Sequence, residues 1–157
     1  MKFLLTLLAF IAPVAAPVAA NAANEVSLTS SVFVEKAVPQ ADGRTRLVLE
    51  EPKIVVPGDK LVFVLNYRNQ GAKPATDFVV TNPMPGAVAY QGTPDASAIV
   101  SVDGGKSWGP MAALKVRKTD GTFRSAYPED VTHVRWAMKA PIPVGAVGKL
   151  SFRGVVR

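Results

Sequence analysis

The chain has 157 residues, with 18 lysines and arginines against 12 acidic residues, a formal net charge of +6, one histidine and no cysteine. Without cysteine there is no disulfide framework, and a single histidine cannot supply the several ligands that a zinc site requires. The 13 prolines and 12 glycines are spread along the whole chain and exclude a long uninterrupted helix, so the composition favours β structure.

The first 22 residues have the pattern of a cleaved secretory signal peptide. Lys2 supplies a positive start, Phe3 to Ile11 is almost wholly apolar, and Ala20-Asn21-Ala22 offers small residues at the two positions that a signal peptidase reads. The apolar run is too short to span a bilayer. We expect cleavage after Ala22, with Ala20 as the second choice. The sequence therefore predicts an exported protein, periplasmic, extracellular or on the cell surface, without a transmembrane segment in its mature part.

Short alternating runs separated by turn residues predict a series of strands in residues 23–157, which have the usual size of one domain. The clearest run follows Pro57-Gly58-Asp59 and places Leu61, Phe63 and Leu65 on one face. Such a series is typical of an antiparallel β-sandwich and not of a parallel α/β fold. The predicted strands are Glu25 to Val38, Arg44 to Leu49, Leu61 to Arg68, Asp77 to Thr81, Val88 to Gln91, Ile99 to Val102, Leu114 to Lys118, Phe123 to Tyr127, Val131 to Met138 and Lys149 to Arg157.

The phase of each strand predicts which side chains face the core. In the last strand Gly154 interrupts the inward row, which predicts a bulge or the close approach of another strand. The main residues predicted to face inward are Leu61, Phe63, Leu65, Tyr67, Phe78, Val80, Val134, Trp136, Met138, Leu150, Phe152 and Val156.

Several segments of this pattern together carry a family resemblance. They are Pro57-Gly58-Asp59, Asn69-Gln70-Gly71, Pro74-Ala75-Thr76, Val79 to Asn82, Pro85-Gly86, Val134-Arg135-Trp136, Pro143-Val144-Gly145 and Gly148 to Arg153. Their order resembles the conserved-repeat domain of prokaryotic surface and secreted proteins, also called domain of unknown function eleven, over roughly residues 54–157, and the match is loose in the middle third. The family more often has an aspartate where Asn82 precedes Pro83. The resemblance implies an immunoglobulin-like β-sandwich of the cell envelope, often present in tandem.

A structural hairpin is predicted from Ser101 to Trp108, which fits the pattern Ser, any, Asp, any, Gly, any, Ser or Thr, Trp. The run resembles the Asp-box of sialidases and other propeller proteins, in which the box is structural. Asp103 would accept hydrogen bonds within the turn, Gly105 would take a φ that other residues avoid, and Trp108 would pack beneath. The box occurs once, and the chain is too short for a propeller. We therefore interpret Ser101, Asp103, Gly105, Ser107 and Trp108 as a hairpin in preference to a carbohydrate site.

Signals for catalysis are weak, and we expect neither an enzymatic function nor a cofactor or metal. His133 is predicted to face solvent beside Arg135, with no visible nucleophile or orienting group. No Gly-x-Ser-x-Gly nucleophile elbow occurs in the chain. Some acidic residues in predicted turns could offer oxygen ligands to calcium, although an aspartate in a turn usually serves the backbone. These residues are Asp95, Asp103, Asp120, Glu129 and Asp130.

Charge is unevenly distributed along the chain. Residues 23–105 carry seven basic and nine acidic side chains, whereas residues 106–157 carry ten basic and three acidic ones. If their strands are neighbours, basic residues of the second part could share an outer sheet face suited to an anionic glycan, a lipid surface or an acidic envelope protein. The alternative, which we favour, is that these charges keep the protein soluble and protect its sheet edges. The candidate basic face consists of Lys115, Arg117, Arg124, Arg135, Arg153 and Arg157.

Two functions remain open at this stage. The first is a non-catalytic structural or interaction module of the envelope, which engages a protein or polymer through sheet edges or the basic face. One form of it is self-association, in which the long first strand pairs with the open edge of a neighbouring subunit. The alternative is a carbohydrate-binding module in which Trp108, Tyr90 or Tyr127 stacks on a sugar, although both tryptophans are predicted to be packed. Given the export signal, we expect no nucleic-acid partner.

Overall fold

The computed structural model describes residues 25–157, so the predicted signal peptide lies outside the described residues. The described chain is all-β, with strands numbered here in chain order and single 3-10 turns at Met111–Ala113 and Pro128–Asp130. The strands are β1 (Val26–Pro39), β2 (Thr45–Glu50), β3 (Lys60–Asn69), β4 (Val79–Pro83), β5 (Val88–Gly92), β6 (Ile99–Ser101), β7 (Lys115–Arg117), β8 (Phe123–Ser125), β9 (His133–Ala137) and β10 (Val147–Val156).

Five strands form one antiparallel sheet in the order β2, β1, β3, β10, β5. β1 has 14 residues, more than its neighbours. Residues 26–35 of β1 pair with β3, and residues 34–39 pair with β2. Because the two pairings overlap only at Val34 and Glu35, the β1–β2 hairpin extends beyond the remainder of the sheet. Most of residues 36–50 are consequently exposed to solvent.

A second antiparallel sheet, in the order β4, β9, β6, packs on the inner face of the first. Trp136 of β9 lies against Phe152 of β10 with ring centroids 6.1 Å apart. Phe152 in turn stacks on Phe63 of β3, with centroids 4.4 Å apart. Trp136 and Phe152 are completely buried, so these rings join the two sheets through the core. Two antiparallel sheets packed face to face are consistent with the predicted β-sandwich.

The observed strands confirm the predicted all-β series, and no strand end differs from its prediction by more than two residues. The residues predicted to face inward are buried or partly buried. One difference lies at Asp77, which was predicted to begin a strand. Its φ of +53° is not an extended conformation, and β4 therefore begins only at Val79.

The interruption at Gly154 is explained by close packing and by a change of register. The pairing of β10 with β5 shifts between Arg153 and Gly154. A Cβ at position 154 would overlap Cγ1 of Val88 and would lie 3.1 Å from the carbonyl oxygen of Ala89. The close approach that was predicted as one of two explanations is therefore present, and it coincides with the shift of register.

We expect Gly154→Ala to lower the free energy of unfolding by about 1–3 kcal/mol, because the added methyl group has to displace β5. Urea denaturation of the variant and the wild type measures this difference. Gly86→Ala is the matched control, since a Cβ there meets nothing within 4 Å. It should change stability by less than about 0.5 kcal/mol. Equal stability of the two variants would contradict the packing argument.

Candidate functional site

The turn that follows β6 is stabilised by hydrogen bonds from the side chains that the Asp-box pattern predicted. Asp103 Oδ1 accepts hydrogen bonds from Ser101 Oγ at 2.8 Å and from the backbone N–H groups of Lys106 and Ser107 at 3.0 and 2.9 Å. Its Oδ2 accepts from Ser107 Oγ at 2.6 Å. Gly105 has a φ of +89°, a conformation that favours glycine. The predicted structural hairpin is therefore present in the geometry that the pattern requires.

Hydrogen bonds from Ser107, and further ones from Ser101 and Lys106, hold the pKa of Asp103 well below its ordinary range. A depressed pKa in the folded state stabilises the fold above the unfolded-state value near 4, and this contribution is lost as pH falls towards the folded-state pKa. Asp103→Asn should therefore have a lower Tm than the wild type at pH 7. The difference should shrink as the pH falls below about 4, because the aspartate of the unfolded chain then takes up a proton that folding has to release.

Thermal melts at a series of pH values measure this convergence. Glu129→Gln, which changes an exposed carboxylate outside the turn, should keep the wild-type pH profile. A Tm difference between wild type and Asp103→Asn that is the same at pH 7 and pH 2 would contradict the assigned role of the carboxylate.

Trp108 is covered by its own chain. Its indole N–H donates to the carbonyl of Gly105 at 2.9 Å, and the guanidinium carbon of Arg135 lies 3.5 Å from the centre of its ring. Arg135 is fixed there by a hydrogen bond from Nε to Thr81 Oγ1 at 3.0 Å. His133 lies edge-on to the same indole with centroids 6.2 Å apart. A cation above an aromatic face stabilises this arrangement and occupies the surface on which a sugar would stack.

The other two aromatic residues considered as sugar platforms lie in different surroundings. Tyr90 is only 9% exposed, and burial raises the pKa of its phenol. Tyr127 is exposed, but the guanidinium carbon of Arg124 lies 4.8 Å from the centre of its ring. Of the three alternative aromatic residues only Tyr127 is exposed, and a guanidinium already lies over its ring.

The residues of the candidate basic face do not share a sheet face. Five of them lie on β7, β8, β9 and β10, which belong to three separate sheets, and Arg157 directly follows β10. The condition that their strands are neighbours is met only by β7 and β8. Several of them have local partners: Arg124 is bound to Asp130 at 2.5 Å, Arg153 to Glu35 at 3.2 Å, and Arg157 to the carbonyl of Gly86. Lys115 and Arg117 remain exposed on one face of β7.

The acidic residues considered for calcium mostly serve turns and ion pairs. Asp95 accepts from the backbone of Ser97 at 2.9 Å, and Asp120 accepts from the backbone of Thr122 at 2.9 Å. Asp130 accepts from the backbone N–H of Tyr127 and from Arg124, and these donors hold its pKa below the usual range. Among residues 25–157, no group of three or more histidine and acidic side chains is placed to hold a metal ion.

A shallow groove of about 450 Å³ lies on the outer face of the five-stranded sheet. Thr29, Asn66 and Lys149 lie side by side in one row of its floor, and Ser27 and Arg68 lie in the next. The described residues that line it include no carboxylate and no histidine, so the groove offers hydrogen-bond donors without an acid–base pair.

Exposed apolar side chains concentrate at the β2 end of the five-stranded sheet. β2 is the terminal strand of that sheet, and its Leu47 and Leu49 are 61% and 50% exposed. Ile54, in the segment that follows, is 83% exposed. Half of the large apolar residues that are exposed in the described chain fall within residues 38–56: Val38, Leu47, Leu49, Ile54, Val55 and Val56. We refer to the side of β2 that faces away from β1, together with the side chains of Leu47 and Leu49, as the β2 edge.

The β2 edge adds to the strand-pairing prediction. The sequence suggested that the long first strand pairs with a neighbouring subunit, and residues 26–33 of β1 do pair with β3 on one side only. β2, the terminal strand of the sheet, presents unpaired backbone groups on its outer side along its whole length. The alternation of Leu47 and Leu49 with Arg46 and Val48 could be read from the sequence, but their position at a sheet edge depends on strand order, which periodicity does not encode.

No family model, curated protein or solved structure matches the chain. Among residues 25–157 there is no helix whose length and apolar character would allow it to cross a bilayer.

Proposed function

We propose that the protein is a non-catalytic structural or interaction module of the cell envelope, which engages another protein through the β2 edge. This proposal rests on one observation: β2 has no neighbouring strand on its outer side, and the same strand carries the exposed Leu47 and Leu49. Exposed apolar residues grouped at one place on a soluble domain usually mark an interaction site. An extended partner segment can add to such an edge by main-chain hydrogen bonds, with side chains on alternate sides supplying specificity.

Three further observations support the envelope assignment. The pattern of residues 1–22 is that of a secretory signal. The described part is all-β with two packed antiparallel sheets, which agrees with the immunoglobulin-like sandwich that we infer from the family resemblance of residues 54–157. The chain has no cysteine, so no unwanted disulfide can form while it folds in an oxidising compartment.

Cell fractionation and mass spectrometry of the protein produced from the full chain test the location. We expect the protein in the envelope or the medium, with a mature mass that corresponds to cleavage after Ala22. Recovery of the uncleaved chain in the cytoplasm would overturn this part of the proposal.

Affinity capture from envelope fractions tests the binding surface. The wild type should recover a partner that the double variant Leu47→Lys/Leu49→Lys does not recover, because lysine on an edge strand opposes strand addition. Val147→Lys is the matched control, since Val147 is equally exposed but lies away from β2. Lys115→Glu/Arg117→Glu removes the exposed cations of β7 and should also retain the partner. Loss of the partner only in this last variant would assign recognition to the basic residues instead.

A further inference from the structure

We propose that the partner of the β2 edge is the β2 edge of a second copy of the same chain. The two strands would pair antiparallel about a two-fold axis that passes through Val48, and the two five-stranded sheets would become continuous. This inference rests on the proposed use of the β2 edge and names its occupant. Three observations support it: the direction of the free backbone groups, the self-complementary sequence of β2, and the lack of proline, lysine or a bulge in this strand.

The free backbone groups of β2 belong to its odd-numbered residues. At the turn of the β1–β2 hairpin, the N–H of Gln40 donates to the carbonyl of Arg44 at 2.7 Å. The register continues without a shift to Val38 opposite Arg46 and Lys36 opposite Val48. Since hydrogen-bonded and non-hydrogen-bonded pairs alternate along an antiparallel ladder, Arg46, Val48 and Glu50 bond to β1. Leu47 and Leu49 therefore direct their N–H and C=O groups outward.

The sequence of β2 is complementary to itself in one register. A two-fold axis at Val48 places Leu47 opposite Leu49 of the second copy, and these are the residues with free backbone groups. Each such pair can exchange two backbone hydrogen bonds. The same axis places Arg46 opposite Glu50 of the second copy, which joins opposite charges across the interface. An axis at Leu47 would instead set Arg46 opposite Val48, and an axis at Leu49 would set Val48 opposite Glu50.

In this register the side chains on both faces of the joined sheet would make favourable contacts across the interface. On the outer face, Leu47 and Leu49 from both copies meet and remove their exposed apolar surface from water. On the other face, the two Val48 side chains meet between the charge pairs. Glu50 already lies 2.8 Å from Lys36 of its own chain, whereas Arg46 has no ion-pair partner in the described part of the chain. Pairing would therefore give Arg46 a carboxylate without removing one from another cation.

β2 lacks three of the features that usually keep a terminal strand from pairing. Its sequence, Thr-Arg-Leu-Val-Leu-Glu, has no proline and no lysine, and its pairing with β1 has no bulge. Its two charged residues, Arg46 and Glu50, face each other in the proposed register and so favour pairing. Because a single short strand buries less surface than a standard protein interface, we expect a reversible dimer whose population depends on concentration.

Sedimentation velocity over a range of protein concentrations tests the dimer. Protein purified after expression of the full chain should shift from monomer to dimer as concentration rises. Arg46→Glu sets two carboxylates against each other and should weaken the dimer at least tenfold, and Glu50→Arg should do the same with two cations. The double variant Arg46→Glu/Glu50→Arg should restore dimerisation, because it reverses both partners of each pair. Circular dichroism checks the folding of the variants, and we expect wild-type spectra because the hairpin is exposed.

Cysteine cross-linking tests the register, since the chain has no cysteine of its own. Val48→Cys places two thiols opposite each other at the Cα separation of a non-hydrogen-bonded pair, which a disulfide can span. Under mild oxidation this variant should form a disulfide-linked dimer much faster than Leu47→Cys or Thr45→Cys. Equal rates for the three variants would overturn the register, and a protein that remains monomeric at all concentrations would overturn the dimer.

The outcomes separate this inference from the proposed function. A monomeric protein that captures a different envelope protein through Leu47 and Leu49 would overturn self-pairing and leave the proposed function standing. A charge-dependent dimer that remains cytoplasmic and uncleaved would support self-pairing and overturn the envelope function.

Discussion

Replacing Phe152 with alanine is expected to lower the free energy of unfolding by about 3–5 kcal/mol, the range for removing a large aromatic side chain from a packed core. Phe152 is completely buried in the middle of β10. Its ring stacks on Phe63 at 4.4 Å and lies 6.1 Å from Trp136 of the opposite sheet. The substitution therefore removes the ring that contacts both layers, and it leaves a cavity that neither sheet can fill without moving.

Urea denaturation followed by tryptophan fluorescence measures this effect, since Trp136 reports directly on the same contact. Phe123→Ala is the matched control. Phe123 is the same residue type in another strand but is 63% exposed, so its replacement should change stability by less than about 0.5 kcal/mol. Similar losses for the two phenylalanines would show that Phe152 does not hold the sheets together as described.

Replacing Asn69 with alanine is expected to cost about 3 kcal/mol, because three backbone groups would lose a hydrogen-bond partner at about 1 kcal/mol each. Asn69 is buried at the end of β3. Its Nδ2 donates to the carbonyls of Lys73 and Ile142 at 2.9 and 2.8 Å, and its Oδ1 accepts from the N–H of Gly71 at 2.9 Å. One side chain thus shapes the loop after β3 and ties it to the segment that precedes β10.

Asn66→Ala provides the comparison on the same strand, because Asn66 is exposed and its loss should be nearly neutral. Hydrogen exchange adds a local readout: in Asn69→Ala the amide of Gly71 should exchange much faster than in the wild type, whereas amides in β9 should change only through the lower global stability. Unchanged protection at Gly71 would contradict the assigned hydrogen bond.

Much of the fold could be predicted from local pattern. Strand positions and inward faces follow from the period of two, which is why Phe152 and Trp136 could be assigned to the core before any coordinates. The hairpin at Ser101 to Trp108 could be predicted for the same reason, since the hydrogen bonds of Asp103 and of the Trp108 indole join residues at most four apart. The interruption at Gly154 could also be predicted, because a glycine among inward-facing apolar residues usually marks a bulge or the close approach of another strand.

The proposed interaction surface could not be predicted in this way. Whether β1 or β2 is the terminal strand depends on which strands become neighbours, and alternation does not specify neighbours. The residues of the candidate basic face are separated for the same reason, since Arg117, Arg135 and Arg153 lie in separate sheets. Asn69 follows the predicted strand Leu61 to Arg68, and the local pattern gives no sign that its side chain is buried. Its hydrogen bond to the carbonyl of Ile142 forms only because the fold brings these distant residues together.

The central position of β10 has a consequence for biosynthesis. Leu65 and Leu150 face each other across β3 and β10, yet they are 85 residues apart in the chain. β3 acquires its second neighbouring strand only after residues 147–156 have been synthesised. The five-stranded sheet therefore stays incomplete during most of the chain's synthesis. Joining such distant segments is slow, on the order of milliseconds to seconds. During that interval its apolar strands depend on chaperones or on dilution to remain soluble.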